Sequence, residues 1–416
     1  MQAFVNMQVV VATVVMVVAV VLADRYSGKV LLVSMDGFRW DYITKVSNLT
    51  NFPRMAASGV AVDYVNNTFV TKTFPCHYTI VTGLYEESHG IVANRMYDPD
   101  HNASFTMSST ESFWWEGGEP VWVTADKQNK KTGVYFWPGS EAEIRGRRPQ
   151  KWFKYNESVP FNERVATAIG WFTEDNMDFV AMYFNEPVRE MDQLLGNILD
   201  TIDSKGLRDT VNVIVTSDHG MTRVDSQNKV SDRHMEVVDS SMIQRVVDSG
   251  VITAIIPAEG QEQEVVDRLN NQSHVTVYQK EKMPDHFHYK NNPRITPIIV
   301  MADEGWQLTS DIASVRRGNT LGEHGYSNEL PSMKPIFFAR GPNFQTGVRT
   351  TSIRSVDIYP LVCKLLNIDA APNNGSLDNT ASLLKSSTNG GVSPFLVDRQ
   401  LAAVLALNVA LVLWIV

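Results

Sequence analysis

The chain has 416 residues, 44% of them hydrophobic, and a formal net charge of −9. That is ample for a large buried core, in one big α/β domain or two ordinary ones. No run of basic residues offsets the acidic balance, which argues against a surface that tracks the phosphates of a nucleic-acid polymer.

From Val5 to Ala23 the sequence "VNMQVVVATVVMVVAVVLA" is apolar, and Asp24 follows. Val21 and Ala23 suit a cleavage site, so residues 1–23 read as a signal peptide. No Lys or Arg precedes the run, and an uncleaved anchor helix is the alternative. "KVLLVSM" (29–35) reads as a strand ending at Asp36 and Gly37, residues 54–62 as a short helix and turn, and residues 77–84 as the first turns of a helix. "EPVWVTADKQ" and "TGVYFWPG" read as strands, as does "DFVAMYFNEP" (178–187). Residues 188–204 then place Met191, Leu194, Leu195, Ile198, Leu199 and Ile202 on one helical face. After the strand 211–216 come "VITAIIPAEGQEQEVVDRLNNQ", strand then helix, the strand "RITPIIVMAD", and a late helix over 352–368. Alternating strands and helices predict an α/β fold, a largely parallel central sheet with helices on both faces.

One domain is expected over 24–377, then a polar stalk over 378–400 and an apolar tail over 401–416, read as a lipid-anchor signal or a short membrane anchor. Asn48, Asn66, Asn102, Asn156, Asn271 and Asn374 begin Asn-x-Ser/Thr triplets and are expected to carry N-glycans. Together these features place the protein at the extracellular face of the plasma membrane, or secreted if the tail is lost. Cys76 and Cys363 are the only cysteines and imply no disulfide framework.

Open parallel sheets bind ligands at the carboxyl ends of their strands. Asp36 ends one predicted strand, Asp218 and His219 end another, and His324 sits in the loop "GEHGYSN". Two acids and two imidazoles converging on one edge suit zinc or a similar cation. For any one of them a cap, turn or surface role is the alternative. Thr73 stands just before a predicted helix, either as an N-cap or as a nucleophile activated by a cation.

The stretches "VSMDGFRWDY", "TKTFPCHYTIVTGLYEESHGIVANRMYD", "VIVTSDHGM" and "EHGYSNELPSMKPIFFARGPNF" occur in that order. Together they resemble the ectonucleotide pyrophosphatase/phosphodiesterase family, in its shorter, membrane-tethered members, from about Lys29 to Leu384. The resemblance implies an alkaline phosphatase-like fold and a site with two zinc ions. In that family a threonine attacks the phosphodiester of a nucleotide or dinucleotide, and water releases the nucleotidyl intermediate. By position Thr73 matches the nucleophile. Asp36, Asp218 and His219 match ligands of the zinc that also holds it, and His324 a ligand of the second zinc. Phe74 and Tyr155 match aromatics that sandwich a nucleobase.

Two departures stand out. The family follows the strand at "YFNEP" with Asp-x-x-Gly-His-x-x-Gly-Pro, whose Asp and His complete the second zinc site. Here "YFNEP" runs directly into "VREMDQLLGN", so that site is expected to be incomplete. Glu186, Glu190 and Asp192 are the nearby oxygen donors, although the helical pattern favours a solvated face for the latter two. Cys76 stands where the family has an Asn implied to donate to the phosphate, and a thiol is a weak donor. It does not continue as the Cys-x-Pro-x-Arg of sulfatases. The expected function is a zinc-dependent phosphodiesterase or nucleotide pyrophosphatase; the alternative is a catalytically impaired paralogue that retains the fold for binding.

Overall fold

Eight strands form the central sheet. They are β1 (Val30–Met35), β2 (Val60–Asn66), β3 (Thr132–Tyr135), β4 (Lys151–Phe153), β5 (Phe179–Phe184), β6 (Asn212–Thr216) and, after a second sheet, β11 (Phe337–Arg340) and β12 (Val348–Arg354). The computed structural model describes residues 26, 28–224, 230–231, 237–308 and 322–385. The expected signal peptide, the apolar tail and most of the expected stalk lie outside them. No helix among the described residues is long and apolar enough to cross a membrane.

The strand order is β12-β2-β11-β6-β1-β5-β3-β4. Five of the seven pairings are parallel, and β11 alone runs against both its neighbours. β1, β5 and β6 are buried along their whole length, as strands covered on both faces must be. Side chains alternate between two cores. Val30 and Leu32 join the layer of α2 (Thr73–Thr82), α3 (Val121–Lys127) and α7 (Ile358–Leu366). Leu31, Val33 and Met35 face α1 (Asn51–Ser58), α4 (Phe161–Glu174) and α5 (Val188–Ser204). Each such fully buried Leu or Val contributes roughly 2 kcal/mol of apolar transfer. The predicted α/β class is the one observed.

Three readings of the architecture change, and two element bounds shift: β2 takes Val60–Val62 from the expected turn, and β12 takes Ser352–Arg354 from the late helix. "EPVWVTADKQ" is helix α3, not a strand. Val121 to Ala125 are all buried, and a short run buried on every side carries no period that separates strand from helix. "VITAII" and "ITPIIV" do not extend the central sheet. They lie in a separate antiparallel sheet of β7 (Ile243–Asp248), β8 (Ile252–Pro257), β9 (Val275–Gln279) and β10 (Ile298–Ala302), ordered β7-β8-β10-β9. That sheet shares its core with α6 (Glu262–Asn270). The folded unit runs from Tyr26 to Leu384, so residues 378–384 belong to it rather than to a stalk. Leu384 bridges Phe344, and Gln345 N–H donates to the Leu383 carbonyl at 2.9 Å.

Asn48, Asn102, Asn156, Asn271 and Asn374 are exposed. Asn66 lies in β2, where its amide nitrogen donates to Ser352 Oγ at 3.3 Å and its oxygen accepts from Lys334 Nζ at 3.0 Å. The sheet thus uses the Asn66 amide, which sets it apart from the other five sequons.

Candidate metal centre and nucleophile

The three parallel strands at the middle of the sheet end abreast. Ser34 of β1 is in register with Tyr183 of β5 and Thr216 of β6. The chain beyond those positions carries Asp36 from β1, and Ser217, Asp218 and His219 from β6. Two glycines make the approach possible. Gly37 adopts φ +65, the left-handed region that disfavours a Cβ, and its N–H donates to Asp218 Oδ1 at 3.0 Å. At Gly220 a Cβ would lie 2.0 Å from the Ser332 carbonyl oxygen.

One ligand atom each from Asp36, Asp218 and His219 lies within 4.8 Å of the others. Asp218 and His219 are fully buried. His219 Nδ1 faces the Gly220 carbonyl at 2.8 Å. A carbonyl only accepts, so Nδ1 carries a proton and Nε2 is the nitrogen that can present a lone pair to a cation. That atom lies 3.0 Å from Asp218 Oδ2, 3.8 Å from Asp36 Oδ1 and 3.5 Å from Thr73 Oγ1. Asp218 Oδ2 is buried and also 3.3 Å from His77 Nδ1, yet neither imidazole makes it an aligned hydrogen bond, a costly state for a carboxylate oxygen unless a cation meets it. The other Asp36 oxygen accepts from the Tyr183 hydroxyl at 2.7 Å. Two carboxylates, one imidazole lone pair and a hydroxyl therefore fit a divalent cation of the zinc type.

The electrostatics follow from that crowding. Burial, and then the Asp218 charge, push the Asp36 carboxyl above its ordinary range. Burial acts on Asp218 in the same sense, but His219 and His77 outweigh it and hold Asp218 well below the usual range. Against the effect of burial, Asp218 raises His219.

Thr73 is the first residue of α2, and Lys72 occupies the cap position with no side-chain cap bond. Thr73 is thus not the N-cap; its hydroxyl is turned to His219. Pro75 is tolerated in that first turn because its missing N–H would have had no helical partner. His77, one turn on, fixes the helix over the sheet edge. Its Nδ1 donates to the Thr73 carbonyl at 2.7 Å and its Nε2 accepts from Ser34 Oγ at 2.8 Å. Phe74 N–H donates to Asn94 Oδ1 at 2.9 Å, which brings a side-chain amide beside the nucleophile.

His324 reaches the site through a short antiparallel ladder in which Glu323 pairs with Thr222. Its Nδ1 donates to the Thr71 carbonyl at 2.9 Å, and its ring stacks on His219 with centroids 3.7 Å apart. Burial, then His219, hold it well below its ordinary imidazole value, hence neutral.

The remaining predicted residues separate. Phe74 is half-buried, with its ring near Phe105 and Trp115. Tyr155 is 42% exposed, with its ring 6.1 Å from that of Tyr183. Cys76 is no phosphate donor: it is 1% exposed, and its thiol donates to the Val70 carbonyl at 3.5 Å. Asp192 is not on a solvated face. It is buried and accepts the N–H groups of Thr50, Asn51 and Phe52, each at 3.0 Å, at the start of α1. Glu190 is exposed. Sequence reasoning missed Tyr183, His77 and Asn94, although Tyr183 stood in the quoted strand end "YFNEP" and Asn94 in "GIVANRMYD".

The model of the type I phosphodiesterase/nucleotide pyrophosphatase family matches residues 30–187 and 184–327. The chain belongs to that family. The bis(5'-adenosyl)-triphosphatase of Xenopus laevis is 40% identical over 379 residues, covering 86% of this chain and 81% of that one. Ectonucleotide pyrophosphatase/phosphodiesterase family member 5 of Homo sapiens is 40% identical over 382 residues, covering 86% and 78%. Among solved structures, murine family member 5 matches with a TM-score of 0.81 and 40% identity, covering 86% of this chain and all of that one. An inactive threonine-to-alanine form of that murine protein has been solved with AMP at the same similarity. The two stretches that match the family model meet at Phe184–Pro187, where β5 passes into α5.

Proposed function

We propose that the chain is a zinc-dependent nucleotide pyrophosphatase/phosphodiesterase, tethered at the extracellular face of the plasma membrane, with Thr73 as its nucleophile. The observation that carries this reading is the meeting of Thr73 Oγ1, His219 Nε2 and the buried Asp218 Oδ2. The inactive threonine-to-alanine form of a relative supports a threonine in that role.

Asp36, Asp218 and His219 would hold the cation, which lowers the pKa of the threonine hydroxyl and polarises a phosphoryl oxygen. Tyr183 orients Asp36, Gly37 orients Asp218, and the Gly220 carbonyl fixes the His219 tautomer. Thr73 Oγ bonds to phosphorus as the bond to the leaving oxygen breaks, and the nucleotidyl group is carried on Thr73. Water then adds to phosphorus as the bond from phosphorus to Thr73 Oγ breaks; the nucleoside monophosphate leaves and a proton returns to Oγ. With Asn94 Oδ1 held by the Phe74 N–H, the Asn94 amide nitrogen suits a non-bridging oxygen. Phe74 and Tyr155 offer aromatic faces to a base.

The substrate class is a nucleotide or dinucleotide, as the names of the relatives indicate for those proteins. Incubation of the zinc-loaded full chain with a dinucleoside polyphosphate tests it: release of a nucleoside monophosphate is expected, and intact substrate with zinc bound counts against it. A second reading, a paralogue that binds nucleotide and turns it over poorly, draws on the short passage from β5 to α5.

A further inference from the structure

We propose that this chain holds one cation where the resemblance implies two, and that the short connection Asn185–Pro187 is the cause. The inference rests on the cation site proposed at Asp36, Asp218 and His219.

β5 ends at Phe184 and α5 begins at Val188, with Pro187 as its cap residue at φ −57 and ψ 147. Because β5 lies beside β1, this connection leaves the same sheet edge that carries Asp36. It is also where the match to the family model breaks into two pieces. A segment rising over the edge here would be placed to add donors near His324. The chain instead turns straight into the helix.

The acids that follow do not substitute. Asp192 has both oxygens committed to α1: Oδ1 accepts from Asn51 and Phe52 N–H, and Oδ2 from Thr50 N–H and the Asn51 amide. Glu190 is exposed on the first turn of α5. Glu186 has Glu190, Glu157 and Arg164 as its charged neighbours and is not part of a metal-ligating group among the described residues. Among the described residues, Asp36, Asp218 and His219 form the single group of three or more metal-ligating side chains. His324 offers one nitrogen, its other being spent on Thr71. A zinc site ordinarily draws three or four protein ligands, so one imidazole does not retain a second ion. Two-metal sites clamp both the attacking and the leaving oxygen; this chain keeps the cation beside the attacking Thr73 only.

The test counts metal. The full chain is stripped with a chelator and titrated with Zn2+, and bound zinc is read by elemental analysis and native mass spectrometry. One zinc per chain is expected, falling to none in Asp218→Asn and staying at one in His324→Ala. Insertion of an Asp-x-x-Gly-His segment after Pro187 is expected to raise the count to two, with thermal unfolding confirming that the variant is folded. Two zinc ions on the unaltered chain overturn this inference and leave the proposed function standing. No zinc at all overturns both. A folded insertion variant that still binds one ion overturns the assigned cause.

Discussion

The Tyr183 hydroxyl donates to Asp36 Oδ2 at 2.7 Å, and the other Asp36 oxygen is left facing His219 Nε2 at 3.8 Å. The two residues come from adjacent parallel strands, so the sheet register itself aims the carboxylate. Tyr183→Phe removes the donor and keeps the ring. Zinc affinity, measured by chelator competition, is expected to fall at least about tenfold while the unfolding temperature of the metal-free protein changes little.

Asp192 offers a contrast between cap and ligand. Asp192→Ala strips three backbone N–H groups of their acceptor at the start of α1. The expected cost is about 3 kcal/mol in denaturant unfolding, with zinc content unchanged. Loss of zinc without loss of stability would assign the residue to the metal instead.

Cys76 is expected to matter to the core and not to the substrate. Cys76→Ala removes a buried thiol and should cost on the order of 1 kcal/mol. Its kcat/KM on a nitrophenyl nucleotide ester should stay within about twofold of the unaltered protein. A hundredfold loss in a stably folded variant would return Cys76 to the phosphate.

Asp98 supplies a pH dependence away from the site. Burial alone would raise its pKa, but the His101 N–H and Arg294 outweigh burial and bring it from 3.8 down to about 2. A depressed folded value stabilises the fold above the unfolded pKa, and that contribution is lost as the pH falls towards 2. Asp98→Asn is therefore expected to lose about 2 kcal/mol at neutral pH, with the difference from the unaltered protein shrinking between about pH 4 and pH 2. A difference that stays constant across that window contradicts the assignment.

The ends of β1 and β6 were legible because a mainly apolar run stops at an acid, Asp36 before Gly37 and Asp218 before His219 and Gly220, which marks the carboxyl edge of a buried strand. That reasoning placed Asp36, Asp218 and His219 together, and the described geometry does bring them together. What escaped it depends on register. Nothing local in "FVAMYFNEP" marks Tyr183 as the partner of Asp36, because the contact exists only once β5 lies in register with β1. Asp192 was misread for a related reason: an acid on a helix counts as solvated unless another helix begins against it. The strand assignment of residues 121–125 failed because a short segment buried on every side has no exposed face to reveal its period. The shortness of the passage Asn185–Pro187 was visible only against the family pattern, since its own residues form an ordinary strand-to-helix turn.

Thr73, held beside a cation by Asp36, Asp218 and His219, is proposed as the attacking group. The most direct measurement compares the zinc-loaded protein with its Thr73→Ala variant on a nitrophenyl nucleotide ester, counting bound zinc in both. Nitrophenol release is expected to fall by roughly a thousandfold or more in the variant, with zinc still bound. A zinc-loaded Thr73→Ala variant that hydrolyses the ester at the rate of the unaltered protein would contradict the claim.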